Sequence, residues 1–565
     1  MLCGDVDCLY RRGVLLLLLA CTTKPEPVDT APVTEPAPED TAPPIDTSPP
    51  VDTATDTHDT YQDTAGSPTE NCADARDNDG DVWADAADPD CTKGTEEVGF
   101  GATGCNDGLD NDLDGEVDGY DDDCDDALDD EGDPGLVAEV PLAAADLILR
   151  GNGAASGFGG RVGVLPDIDG DGYPEITATV SNGGAAELRW YSGLPSGTAS
   201  WDAAAGTVGS AAGDGAVGAI LGGDVNGDGV GDLLVGSPDG AGGVYVFLGP
   251  VATGARTFDT AEGRITGVGD AAVGSSLAWV PDLSGDGQAD LVVGALDGGT
   301  YAGTIVPGPL GAGDIDISDS DQIVRFEDAG DAGGGGELTA ADFDGDGAAD
   351  LVVGAPGADD THADHGKVYV LAGPVPESEI ELRFATGTWV GEDAHHAVGK
   401  EVVVTGDVND DGLPDLLVGM SANDSYGSVV DRAYLIYAPV VRGETSVASA
   451  QVVFEGDEMF DGVGFPLSVP GDVDGDGRDD VLLSASGSDL SGRDAGLAYL
   501  FYGAISPGLY ACERARATFI AEAPGGRAGA GLAGGDVNLD GFADLVIAAP
   551  FLDLGSVYVM YGEGR

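Results

Sequence analysis

The sequence predicts an all-β fold of seven repeated four-stranded units closed into a ring, on three observations. An acidic stretch of the form Asp-x-(Asp/Asn/Ser)-x-Asp-Gly-x-x-(Asp/Glu) recurs seven times, opening at Asp167, Asp224, Asp282, Asp342, Asp407, Asp472 and Asp536. The starts lie 57, 58, 60, 65, 65 and 64 residues apart, a period that marks one supersecondary unit per repeat. Short apolar runs ended by Gly, Ala or Pro follow the loops, where a helix-loop-helix motif would continue as a helix.

Each unit opens on a Gly-rich lead-in, such as Gly157-Phe158-Gly159-Gly160 or Ala272-Val273-Gly274, and an inner strand. After the acidic loop comes a second strand that reads as buried, for example Leu233-Leu234-Val235, Leu291-Val292-Val293, Leu351-Val352-Val353 and Leu545-Val546-Ile547. An alternating third strand follows (Val244-Tyr245-Val246-Phe247, Val368-Tyr369-Val370-Leu371, Val557-Tyr558-Val559-Met560). An outer strand such as Ile323-Val324-Arg325-Phe326 or Val452-Val453-Phe454 completes four. Four strands per repeat around a ring make a seven-bladed β-propeller, expected over residues 136–565. The run Asp146–Arg150 stands before the first repeat, and the chain stops after the third strand of the last. That run is therefore expected to complete the last blade and remove its open edge.

The loop carries its own chemistry. Side chains at positions 1, 3, 5 and 9 aim oxygen ligands into one concavity, and the glycine at position 6 permits the tight turn. The ligand candidates are Asp167, Asp169, Asp171 and Glu175; Asp224, Asn226, Asp228 and Asp232; Asp282, Ser284, Asp286 and Asp290; and Asp342, Asp344, Asp346 and Asp350. The last three repeats supply Asp407, Asn409, Asp411 and Asp415; Asp472, Asp474, Asp476 and Asp480; and Asp536, Asn538, Asp540 and Asp544. Oxygen donors without His or Cys select Ca²⁺ over Zn²⁺, and so many protein oxygens suit Ca²⁺ better than Mg²⁺. About seven bound calcium ions are expected, with the Ser284 loop among the weaker.

The Phe-Gly-like lead-in and the Gly-Ala-Pro exit bracketing this loop resemble the FG-GAP repeat of integrin α subunits. The resemblance implies an integrin-α-like propeller that binds a ligand on the face opposite the calcium loops. Position 3 varies among Asp, Asn and Ser, yet all seven loops keep an oxygen there.

Charge agrees with this reading. The chain of 565 residues carries 22 Lys and Arg against 103 Asp and Glu, a net charge of −81. Nucleic acid and anionic membrane surfaces are poor partners, and a compact fold needs cations among its carboxylates.

Residues 1–21 resemble a bacterial lipoprotein signal: Arg11 and Arg12, an apolar run from Val14 to Leu19, then Ala20 and Cys21, the expected lipidation site. A plain secretory signal is the other reading, and Asp5 and Asp7 are unusual in either. The run is far shorter than the roughly 20 residues of a membrane-spanning helix. Residues 22–70, rich in Pro, Thr, Asp and Ala, read as a disordered linker. Residues 71–133 hold two acidic modules with matched spacing, Cys72 to Cys91 and Cys105 to Cys124, which argues for one disulfide inside each module, although four cysteines allow three connectivities. Asp77, Asp79, Asp81, Asp85 and Asp88, and likewise Asp110, Asp112, Asp114, Asp118 and Asp121, stand at the offsets of a calcium loop, so two further ions are expected. The modules resemble Asp-rich metal-binding repeats of exported proteins from myxobacteria and their relatives. A stapled acidic linker without metal is the alternative.

Other constellations carry less. Asp316-x-Ser318-x-Ser320 matches the signature of metal-dependent adhesion sites but lacks their α/β surroundings. His362, His365, His395 and His396 fall in two loops and read as solvated. Cys512 reads as a small buried apolar residue. No catalytic residue is assigned. The expected role is that of an exported protein, lipid-anchored at the outer membrane or cell surface, binding a protein or glycan. A structural part of an outer surface layer is the alternative, and a propeller-based hydrolase or lyase a more distant one.

Overall fold

The computed structural model describes residues 138–562, apart from short internal stretches such as 210–216, 326–336 and 421–429. Seven sheets succeed one another, and no α-helix occurs among the described residues. Blade 1 is built from the antiparallel strands Val162–Leu165, Glu175–Asn182, Ala185–Tyr191 and Gly206–Gly209. The later blades repeat this order from inner strands beginning at Ile220, Leu277, Leu338, Glu401, Leu467 and Gly531. Those inner strands touch in succession around the ring, and the inner strand of blade 7 touches that of blade 1. The fold is an all-β, seven-bladed propeller.

Closure follows the expected route. Leu147–Arg150 pairs antiparallel with Ser556–Met560 and serves as the fourth strand of blade 7.

Each sheet, however, has a fifth strand that the sequence reading did not separate. Between the third and fourth strands of a blade, the chain first runs along the outer edge of the preceding blade, in parallel. Gly254–Thr257 pairs with Gly206–Gly209 in this way, and Ala138–Pro141 with Ala517–Ile520. A short 3₁₀ turn then returns the chain, and its first residue is buried: Leu142, Trp201, Phe258, Leu382, Val447 or Cys512. Cys512 thus occupies an apolar anchor position. Paired outer edges also leave fewer open backbone groups to recruit another chain.

Both faces of each sheet are covered, so the second strands are continuous apolar runs, as in Asp350–Ala355, where every residue is buried. Side chains of neighbouring blades interlock into seven apolar clusters, one per junction, among the described residues. At the junction of blades 1 and 2, Trp190, Leu188 and Val208 meet Leu233, Val235 and Phe247. Fully burying one such side chain contributes about 1.5–3 kcal/mol, so the junctions dominate the stability of the ring.

Candidate functional site

All seven acidic loops join a first strand to a second strand, so the topology brings them to one end of the ring. Position 2 of every loop is apolar and buried (Ile168, Val225, Leu283, Phe343, Val408, Val473, Val537), pinning the loop to the core beneath it. This recurring apolar residue was visible in the sequence and marks the loop as a surface structure with a buried root.

The loop closes on its own carboxylates. Asp342 Oδ1 accepts from the backbone N–H of Gly345 at 2.8 Å and of Asp346 at 3.1 Å, and its Oδ2 accepts from Gly347 at 2.9 Å. Gly347 sits at φ +91°, a conformation that side-chain-bearing residues rarely adopt. Asp346 Oδ1 in turn accepts from the N–H of Ala348 at 2.9 Å. Asp224 and Asp472 make the same pattern of contacts in their loops.

Position 9 stands at the start of the second strand and is buried in every loop. Asp350 Oδ2 accepts from Phe343 N–H at 3.0 Å and its Oδ1 from Gly373 N–H at 2.9 Å, so one carboxylate ties the loop to the exit of the third strand. Asp232, Asp415, Asp480 and Asp544 repeat this bracket with Gly249, Ala438, Gly503 and Gly562. These backbone donors could not be assigned from the sequence, because they lie 17 to 23 residues beyond their acid. Burial pushes Glu175 up to about 8, Asp480 to about 7, and Asp415 and Asp544 to about 6, against the opposing pull of the backbone N–H groups that each accepts from, Ile168 and Asp169 in the case of Glu175. Asp232, Asp290 and Asp350 are raised for the same reason.

Three loops gather carboxylates tightly among the described residues: Asp167, Asp169, Asp171 and Glu175; Asp342, Asp344 and Asp350; Asp472, Asp474 and Asp480. Within each group one ligand oxygen from every residue lies within 4.8 Å of the others. Asp346 and Asp476 stand outside these groups. In the remaining loops Asn226, Ser284, Asn409 and Asn538 occupy position 3. Asp282 Oδ1 is buried without a hydrogen-bond partner, an exposed need that a cation would meet. Oxygen-only donors, converging like charges and this orphaned oxygen all fit a divalent cation, with Ca²⁺ the hard ion such a donor set favours.

One neighbour of the first loop escaped the sequence reading. The indole of Trp190 lies beside Asp169, its N–H buried without a hydrogen-bond partner, and the Asp169 carboxyl is raised by burial and by Asp171. Nothing in the local sequence signals this, since Trp190 belongs to the third strand.

The histidine loops do meet: Val398 N–H donates to the His365 carbonyl at 3.2 Å, and His395 Nδ1 lies 3.2 Å from Asp364 Oδ2. His365 and His396 are buried rather than solvated, a correction to the sequence reading that follows from the pairing of these loops at Gly366 and Val398. Among the described residues they form no group with metal-ligand spacing. Asp316 ends the fifth strand of blade 2. Ser318, Ser320, His362, Cys21, the aspartates of the two acidic modules and Cys72, Cys91, Cys105 and Cys124 lie outside the described residues.

Seven blades with an acidic loop at the same end of each define a repeat propeller of acidic-loop type. The FG-GAP repeat family matches residues 334–371, 468–501 and 528–560, and the FG-GAP-like repeat family matches residues 167–235. Integrin alpha-PS2 of Drosophila melanogaster is 30% identical over 251 residues, 41% of this chain and 16% of that protein. Integrin alpha-IIb of Homo sapiens is 32% identical over 177 residues, covering 30% and 16% respectively. Phosphatidylinositol-glycan-specific phospholipase D of Bos taurus is 31% identical over 177 residues, covering 30% and 21%. The chain therefore spans about a fifth or less of the length of these relatives. The matched stretches carry FG-GAP repeats within a seven-bladed β-propeller that is integrin-like over part of its length.

Proposed function

We propose that the protein is an exported, calcium-binding surface protein whose propeller binds a protein or glycan through the face opposite its acidic loops. The observation that carries this reading is the division of labour between the two ends of the ring. Acidic loops occupy one end, while the links from second to third strands and from blade to blade emerge at the other. At that second end, in blades 6 and 7, Leu490 and Phe551 are 67% and 61% exposed. The Arg527 guanidinium lies 5.6 Å from the centre of the Phe551 ring. Exposed aromatic and Arg side chains of this kind supply most of the energy in binding interfaces.

The integrin relatives support a ligand-binding role. The likeness to phospholipase D lies at the level of FG-GAP repeats, so it speaks for the shared fold, and binding rather than catalysis is the reading proposed here. Surface attachment through Cys21 belongs to the same proposal. No helix among the described residues is long and apolar enough to cross a membrane.

The purified protein, screened against immobilised glycans and surface proteins in millimolar Ca²⁺, should capture a ligand. Leu490→Asp and Phe551→Asp should each weaken capture at least about tenfold, the loss expected for a central contact. Capture unchanged in both variants would overturn the assignment of this face.

A further inference from the structure

The seven loops are not equivalent, and we propose that they fill in two tiers: blades 1, 4 and 6 bind calcium first, and blades 2, 3, 5 and 7 only at higher calcium. The inference rests on the calcium reading above and adds its regulation. Position 3 carries it. Asp169, Asp344 and Asp474 stand there in the first tier, and each belongs to a group of carboxylates, four in blade 1 and three in blades 4 and 6, that converges within 4.8 Å. Asn226, Ser284, Asn409 and Asn538 replace them in the second tier. First-tier loops thus offer four carboxylates and second-tier loops three, and the charge count of a calcium loop is one of the main determinants of its affinity.

Local bonding sharpens the difference. Asn226 Nδ2 donates to Asp228 Oδ2 at 3.0 Å, and Asn538 Nδ2 donates to Asp540 Oδ2 at 2.8 Å. In blades 2 and 7 the amide therefore already compensates the acid at position 5, and an incoming cation has to displace that bond. First-tier acids have partners of their own, Ser192 Oγ donating to Asp171 Oδ2 at 2.7 Å, Arg478 Nη1 3.5 Å from Asp476 Oδ2 and the exposed Arg442 3.7 Å from Asp344 Oδ2, but none of these takes the place of a ligand carboxylate as the position 3 amide does. Like charges held this close leave more to be gained from a cation.

The arrangement around the ring gives the tiers a use. Blade 7 touches blade 1, so no two first-tier blades are neighbours, and every second-tier blade adjoins at least one of them. Low calcium would brace the ring at three separated places. A later rise would complete the remaining loops on blades that are already braced from the side.

Calorimetric titration of the metal-stripped full chain, with ion counts by native mass spectrometry, tests this. Three propeller ions should bind at least about tenfold more tightly than the next four. Asp344→Asn should move one ion from the tight class to the weak class, and Asn409→Asp should move one the other way. Such changes on substitution separate propeller loops from any ions held elsewhere in the chain. Calcium uptake in a single class, unaltered by both substitutions, would overturn the tiers and leave the calcium reading standing. No uptake at all would overturn both.

Discussion

Leu149 lies directly opposite Val557 in an antiparallel pair, although more than four hundred residues of chain separate them. Both side chains are fully buried at the junction of blades 7 and 1, together with Leu147, Phe158 and Trp201. The contact shuts the ring. Leu149→Ala should destabilise the protein by about 2–5 kcal/mol, the range for deleting a large buried aliphatic side chain. The equivalent truncation of the exposed Leu509 should cost well under 1 kcal/mol. Urea unfolding of the two variants checks the ranking, and equal costs would remove closure from the account of stability.

The propeller, its blade count and its closing strand were legible because each depends on a period. The acidic loop repeats every 57 to 65 residues, and strands such as Val557–Met560 show their alternation locally. The fifth strand escaped because its pattern is short and mostly exposed: Gly443–Ser446 has no buried residue, and only the apolar Val447 that follows repeats from blade to blade. Ligand positions could be read by spacing. The position 9 bracket could not, since the N–H of Gly503 reaches Asp480 only after an entire hairpin has formed. The burial of His365 depended likewise on a partner loop about thirty residues away.

Gly206 is held to glycine by a neighbour. A Cβ there would lie 1.9 Å from the Trp190 ring. Gly206→Ala should therefore cost about 1–3 kcal/mol by overpacking and displace the indole beside Asp169. With excitation selective for tryptophan, so that Tyr173 of the same loop stays dark, terbium bound in the first loop should luminesce by energy transfer from Trp190, and that signal should fall in Gly206→Ala and vanish for that loop in Trp190→Phe. Unchanged emission in both variants would place the indole elsewhere.

The anchor is open to fractionation. If Cys21 is lipidated, Cys21→Ser should shift the protein from the membrane to the soluble fraction of the export host. Partitioning that does not change would leave a plain secretory signal as the better reading.

Removal of metal should weaken the ring at several places at once. A cation that binds only the folded state stabilises it by about 2.7 kcal/mol at a hundredfold excess over its Kd. Several such sites rival the roughly 5–15 kcal/mol that holds a whole domain folded. Chelation with EGTA should lower the melting temperature sharply, and millimolar Ca²⁺ should restore it where Mg²⁺ does so poorly, because Mg²⁺ sheds its water reluctantly. A melting curve indifferent to chelation would reduce the loops to turn formers.

The acids at position 9 give the metal-free protein a pH dependence of definite sign. Glu175 and Asp480, raised by burial to about 8 and about 7, hold their protons in the folded state well above the values near 4 of an unfolded chain. The folded state then binds more protons than the unfolded state between about pH 4 and pH 8, and stability must fall as pH rises through that window. Overall repulsion among the excess carboxylates acts in the same direction, but ordinary carboxylates are almost fully ionised by about pH 6.5. What remains between pH 6.5 and pH 8 belongs to the buried acids, Glu401 outside the loops among them, raised by burial to about 8, and to the few histidines. In EGTA the melting temperature should therefore still decline across that interval, and Asp480→Asn should flatten its share of the decline, because the amide has no proton to lose. Calcium favours the ionised form of the loop acids, so the loaded protein should show a smaller decline and calcium should bind more tightly at pH 8 than at pH 6.5. Melting curves of the metal-free protein that rise with pH over this interval would mean that these carboxylates are already charged in the empty loops, and the bracket that buries them would then have to be stabilising the anion by itself.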